Sequence, residues 1–170
     1  MKKNMKIIIL TWKSWSWKTT IQNALIKEGG WNKPINFTTR KKRNDEELDE
    51  YVFCTKKQFV KKLLNWDFIE HTIYWWQMYW LTKSWFWQKN IIITDPIWRA
   101  QLMKEFWTAS LIFLEISEEE QFKRLKKRGS SNEEIEKRML DWKWFEPTRK
   151  SIIINGNTNI KTIVSIINNL

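Results

Sequence analysis

Short, continuously apolar runs alternate with amphipathic stretches along this chain. Lys6-Ile7-Ile8-Ile9-Leu10, Asn90-Ile91-Ile92-Ile93-Thr94 and Leu111-Ile112-Phe113-Leu114-Glu115-Ile116 read as strands buried on both faces of a parallel sheet, and Ser151–Asn155 as a last strand. Helical patterns fall between them. One runs from Thr19 to Lys27 and is closed by Gly29-Gly30; another opens at Pro96 and reaches about Phe106. A third opens on the capping box Ser117-Glu118-Glu119-Glu120 and ends at Arg128-Gly129. Ser131 or Asn132 caps a fourth, which runs to about Lys143, and Ile160–Leu170 is the last. The middle of the chain reads differently. Pro34–Phe37, Tyr51–Cys54, Phe68–Ile73 and Met78–Leu81 are short strand-like pieces around a polar stretch, Asn44–Glu50. Thr55 caps a helix to about Asn65 with Phe59, Val60, Leu63 and Leu64 on one face. The alternation predicts one α/β domain, with a parallel core sheet flanked by helices and a small inserted sheet.

Composition changes this picture at one point. The chain of 170 residues has 14 Trp and only 4 Gly, where glycine is ordinarily about 7% of a protein. The formal charge of +11 suits a polyanionic partner, but the abundance of Lys, Asn and Ile matches an AT-rich coding bias equally well. No nucleic-acid partner is expected from charge alone. Cys54 is the single cysteine, which excludes an internal disulfide and suggests a reducing compartment. No apolar run reaches the ~18 residues of a membrane span, and Ile7–Leu10 is too short for a signal-peptide core. A cytoplasmic protein with no membrane partner is expected; the oligomeric state is not legible.

The excess Trp and the missing Gly meet in one stretch. Thr11-Trp12-Lys13-Ser14-Trp15-Ser16-Trp17-Lys18-Thr19-Thr20 joins the first strand to the first helix. With glycine at 12, 15 and 17 it becomes a phosphate-binding P-loop, G-x-x-x-x-G-K-[ST]. Trp66 and Trp107 follow helix ends, where a C′ glycine belongs. The reading that accounts for all of these is a source that decodes UGA as glycine, translated with a code that reads it as tryptophan. Trp142, Trp144 and Trp31 are the positions where a genuine indole is expected, since glycine would weaken the helix at the first two by about 1 kcal/mol. The competing reading is a truly Trp-rich protein whose exposed aromatics contact membrane or carbohydrate.

With glycine restored, the loop's N–H groups would cradle a triphosphate at the positive end of the following helix. Lys18 would reach the outer phosphates, and the Thr19 hydroxyl would ligate Mg²⁺ brought with ATP. Three indoles there would fill the space of the phosphates, so the chain as written is expected to be inactive.

Beyond the loop, the chain resembles guanylate kinases over nearly its whole length. The residues carrying this are Phe37-Thr38-Thr39-Arg40-Lys41-Lys42-Arg43, Glu50-Tyr51, Phe68-Ile69-Glu70-His71, Gln77-Met78-Tyr79-Trp80, Ile93-Thr94-Asp95-Pro96-Ile97-Trp98, Arg124-Leu125-Lys126-Lys127-Arg128-Gly129 and Lys137-Arg138-Met139. Trp76, Trp80 and Trp98 fall where that family has glycine. The resemblance implies a P-loop NTPase fold with a core of about 1–35 and 88–170, a GMP-binding insertion of about 36–87 and a helical lid of about 117–142. It implies phosphoryl transfer from ATP to GMP. Arg40, Arg43, Tyr51 and Tyr79 would hold the GMP phosphate, with Asn36 in place of a usual Ser. Glu70 and Asp95 would bond the guanine, and Arg124, Arg128 and Arg138 would neutralise charge on the transferred group. Plainer readings stand beside these: Arg124 and Arg128 as a solvated helix face, Glu70 and Asp95 as surface carboxylates, and His71 as structural. Leu81 departs from a usual Ser or Thr that helps to read guanine, with Thr82 adjacent. The alternatives are a kinase of the same fold with another small phosphorylated acceptor, and a related binding module without catalysis.

Overall fold

The computed structural model describes residues 5–12, 18–42, 51–65, 68–74, 77–82, 85–94, 96–127, 129–142 and 146–170. These form two four-stranded sheets. The first is built from β1 (Lys6–Trp12), β6 (Lys89–Ile93), β7 (Ser110–Glu115) and β8 (Ile152–Asn155), in the order β6-β1-β7-β8. Every pair in it is parallel. Helices on both faces explain why its strands lack a polar side. Ile8, Leu10, Ile91, Ile112, Leu114 and Ile154 face Ile21 and Leu25 of α1 (Lys18–Gly29) and Ile163, Val164 and Ile167 of α6 (Ile160–Asn168). On the other side Ile7, Ile9, Ile92 and Leu111 meet Phe86 and, from α3 and its C-terminal end (Pro96–Glu105), Leu102 and Phe106.

The second sheet contains β2 (Asn36–Thr38), β3 (Tyr51–Phe53), β4 (Phe68–Tyr74) and β5 (Gln77–Thr82), in the order β3-β2-β5-β4. It is mixed: β2 and β3 run parallel, while β5 is antiparallel to both β2 and β4. Helix α2 (Lys56–Leu64) covers one face, where Phe59 packs with Phe37 and Trp80. Its capping box is complete, with Thr55 accepting from the Gln58 N–H and the Gln58 side chain reaching back to the Thr55 N–H. Leu81 ties the two sheets together, because it is wholly buried in the core cluster of Ile7 and Ile9. The remaining helices are α4 (Glu118–Lys127) and α5 (Asn132–Trp142).

Several boundaries move from their expected places for identifiable reasons. β1 continues through Thr11 and Trp12, which pair with Phe113 and Leu114. The polar letter Thr11 does not end the strand because its buried hydroxyl donates to the Ile112 carbonyl at 3.2 Å. β2 starts beyond Pro34, which has no N–H to give a ladder. Ser131 caps α5, its hydroxyl accepting from the Glu134 N–H at 3.2 Å. Gly29 is the last residue of α1, and Gly30, with φ of 64°, makes the left-handed turn out of it.

Candidate active site

In a parallel sheet the strands end along one edge, and ligands gather there. The registers Leu10↔Ile93 and Trp12↔Leu114 bring the C-terminal ends of β1, β6 and β7 together. The Thr94 N–H closes this edge by donating to the Leu10 carbonyl at 3.2 Å. Helix α1 opens at Lys18, with five residues between it and the end of β1, so the positive end of its dipole lies at its Lys18 end. Thr20, in its first turn, is exposed. Lys13, Ser14, Trp15, Ser16, Trp17, Arg43, Asp95 and Arg128 lie outside the described residues, as do Trp66, Trp76 and Trp144. For Trp12, Lys18, Thr19, Glu70, Arg138 and Trp142 only the backbone is described: Lys18 and Thr19 open α1, Glu70 aligns with Leu81, and Arg138 and Trp142 belong to α5.

The inserted sheet gathers the other expected residues on one face. Asn36 is aligned with Tyr51 and with Leu81, and Thr38 with Phe53 and with Tyr79. Side chains of aligned residues share a face, so Asn36, Thr38, Tyr51, Phe53, Tyr79 and Leu81 lie together, opposite Phe37, Val52, Met78 and Trp80. Tyr51 meets Tyr79 edge-on at 6.2 Å, and Tyr79 meets Trp98 at 5.9 Å. Trp98 stands in the first turn of α3, immediately past the end of β6. The aromatic face of the insertion thus fronts the C-terminal edge of the core sheet. Arg40 leaves β2 beside it, its guanidinium 5.3 Å from the centre of the Tyr51 ring. Arg40, Tyr51 and Tyr79 therefore lie close together. Leu81 and Thr82 are both buried, Leu81 among the core aliphatics.

Arg124 occupies a defined place. Its Nε lies 2.6 Å from Glu120 Oε1, one turn earlier on α4, and a terminal nitrogen donates to Asn157 Oδ1 at 2.9 Å. That anchors α4 to the turn after β8; it is not the freely solvated face that the i, i+4 spacing suggests. Arg99, beside Trp98, is half-buried and donates to the Glu146 carbonyl at 2.9 Å. Burial pulls its guanidinium below the usual value. Burial also pushes the Cys54 thiol up, an effect that the charge of nearby Lys62 opposes. Sequence reasoning missed Phe53 and Trp98 as neighbours of the cluster. The signal for Phe53 was the two-residue spacing of Tyr51-Val52-Phe53.

Among the described residues no helix is long and apolar enough to cross a membrane. Residues 4–165 match the family model of guanylate kinase. A guanylate kinase of Mycoplasmoides gallisepticum is 33% identical over 145 residues, covering 79% of this chain and 74% of that protein. One of Fusobacterium nucleatum is 29% identical over 166 residues, covering 89% and 90%. Among solved structures, a guanylate kinase of Anaplasma phagocytophilum superimposes with a TM-score of 0.68 at 20% identity, over 99% of this chain and 85% of that one. A gluconokinase of Sinorhizobium meliloti follows at 0.51 and 13%, over 96% and 90%, a likeness of fold alone. With the family model matched over residues 4–165 and a relative 33% identical, on a core sheet that carries a second, mixed sheet, the chain belongs to the guanylate kinase family.

Proposed function

We propose that this chain, made with glycine at most of its Trp positions, transfers the γ-phosphoryl group of ATP to GMP, giving ADP and GDP. The observation that carries the reading is the convergence of Arg40, Tyr51 and Tyr79 on the face that fronts the C-terminal edge of the core sheet. That is where an acceptor phosphate would meet a donor held at the start of α1. Residues 12–20 would wrap the ATP phosphates, with Lys18 on the outer ones. Asn36, Arg40, Arg43, Tyr51 and Tyr79 would hold the GMP phosphate, arginine forks matching phosphate oxygens in pairs. Reading of guanine would fall to Glu70 and Asp95. Arg124, Arg128 and Arg138 would steady the transferred group from a lid of about 117–142 as it closes over the core. The insertion of about 36–87 would be the acceptor domain.

Magnesium carried with ATP would supply charge neutralisation between the β- and γ-phosphates. Thr19, a hard hydroxyl oxygen in the first turn of α1, suits an ion that keeps few protein ligands and draws the rest from phosphate and water. No strong base is needed, since positioning and electrostatics dominate this transfer.

The test is a coupled assay of the chain with glycine at 12, 15, 17, 66, 76, 80, 98 and 107, offered ATP, Mg²⁺ and GMP, AMP, UMP or dTMP. Preferred turnover of GMP is expected, and none from the chain as written. Preference for another acceptor would leave the fold's chemistry and remove the substrate; turnover with none would sink the kinase reading and favour a binding module. TGG codons at positions 12, 15 and 17 would end the glycine reading.

A further inference from the structure

We infer that Phe53 is a positioning residue for the acceptor phosphate: its ring, beside that of Tyr51, forms the ledge on which the Arg40 guanidinium is held. What Arg40 does for GMP rests on the function proposed above; the ledge itself is a matter of geometry. Tyr51 and Phe53 are two apart on β3 and stand on one face, while Val52 and Cys54 turn toward the cluster of Phe37, Phe59 and Trp80. The Phe53 ring is therefore not part of the insertion's core. It is half-buried, and its ring contacts among the described residues are Tyr51 at 6.2 Å and Arg40 at 5.6 Å. Arg40 also lies 5.3 Å from the Tyr51 ring, so the guanidinium rests against two π faces at once.

The backbone end of Arg40 is fixed as well. Its N–H donates to Thr38 Oγ1 at 3.1 Å, and Thr38 is wholly buried. One guanidinium nitrogen donates to the Lys41 carbonyl at 2.8 Å. The two rings are inclined to each other by 52° and bracket the guanidinium carbon, which leaves donors in the guanidinium plane to meet phosphate oxygens in pairs. Without the ledge, a long flexible side chain must be ordered when the anion arrives, and that ordering is subtracted from affinity. Tyr51 has a hydroxyl that can itself reach phosphate, so its loss would mix two effects. Phe53 has no donor, and its loss isolates positioning.

In the glycine-restored chain, Phe53→Leu keeps apolar bulk and removes the π face. The expected result is a KM for GMP raised about three- to tenfold, with kcat and the KM for ATP within about twofold. Phe53→Tyr should restore the KM for GMP. An unchanged KM for GMP, an equal rise for ATP, or no rescue by Phe53→Tyr would overturn the proposal. A second readout needs no turnover: in the chain as written, the ring-current shift of the Arg40 Nε–H, assigned with Arg40→Lys, is followed by NMR during a GMP titration. Phe53→Leu should move that resonance toward its unstacked position and weaken GMP by a similar factor. A parent chain with no shifted resonance, or a variant with neither change, would count against the ledge. If the glycine-restored parent does not turn over GMP, the kinase reading fails, and the NMR shift still decides where Arg40 is held.

Discussion

Two tryptophans are buried to nearly the same depth and are accommodated very differently. Trp31, 4% exposed, fills the space between the ends of α1 and α6, and its indole N–H donates to Asn168 Oδ1 at 2.7 Å. The surroundings are shaped to it: a Cβ at Gly29 would come within 2.6 Å of the indole Cδ1. Trp80, fully buried, sits among Phe37 at 5.2 Å, Phe59 at 4.7 Å and Phe68 at 5.4 Å, and its N–H has no partner among the described residues. Leaving such a group dry costs about 1–3 kcal/mol. A native indole ordinarily finds a partner for its polar end. The contrast is between an indole whose polar end is bonded and one whose polar end is not, at a position where the resemblance to guanylate kinases points to glycine.

The sharpest test of that contrast is removal of each indole. Trp31→Gly should destabilise by about 3–5 kcal/mol or more, since it opens a cavity in the main core and adds a flexible residue. Trp80→Gly should cost less by about the 1–3 kcal/mol that the orphaned N–H already forfeits, provided the three Phe rings close on β5. Denaturant midpoints at unchanged m-value measure both. Equal losses at the two sites would make Trp80 as native as Trp31 and weaken the glycine reading.

Much of this molecule could be read from the letters. The continuous runs Ile7–Leu10, Ile91–Ile93 and Leu111–Leu114 announce burial on both faces, and the sheet obeys them. Arg40, Tyr51 and Tyr79 were legible only through the resemblance. Periodicity puts Tyr51 and Phe53 on one face of β3, but it does not bring β5 or α3 against them. Hydrophobicity also does not reveal direction. Leu81 looked like a changed base-reading residue, yet it packs into the core cluster of Ile7 and Ile9. Trp98 stood apart from Tyr79 in the chain and meets it only because α3 starts where β6 ends.

A subtler version of the comparison keeps an aromatic at each site. Trp31→Phe loses bulk and the bond to Asn168, and should cost about 1–2 kcal/mol. Trp80→Phe loses similar bulk but also the unpaired N–H, so the two terms offset and the change should stay within about 1 kcal/mol of zero. A double-mutant cycle of Trp31→Phe with Asn168→Ala isolates the hydrogen bond, and coupling near zero would remove the distinction drawn for Trp31.

The smallest effect is expected at the surface. Trp107 follows Phe106 in the turn after α3 and is 77% exposed. Its neighbour Phe106 is buried against Phe86 at 5.1 Å, so the anchoring of this turn belongs to Phe106 and not to the indole. Ala109 N–H closes the turn on the Phe106 carbonyl at 2.9 Å, a bond that does not involve the side chain at 107. Trp107→Gly should therefore shift stability by no more than about 0.5 kcal/mol in either direction, while Phe106→Ala costs several times as much. Thermal melts of the two variants compare them directly. A large loss from Trp107→Gly would mean that this indole covers something the chain needs, and that it is a residue of the native protein.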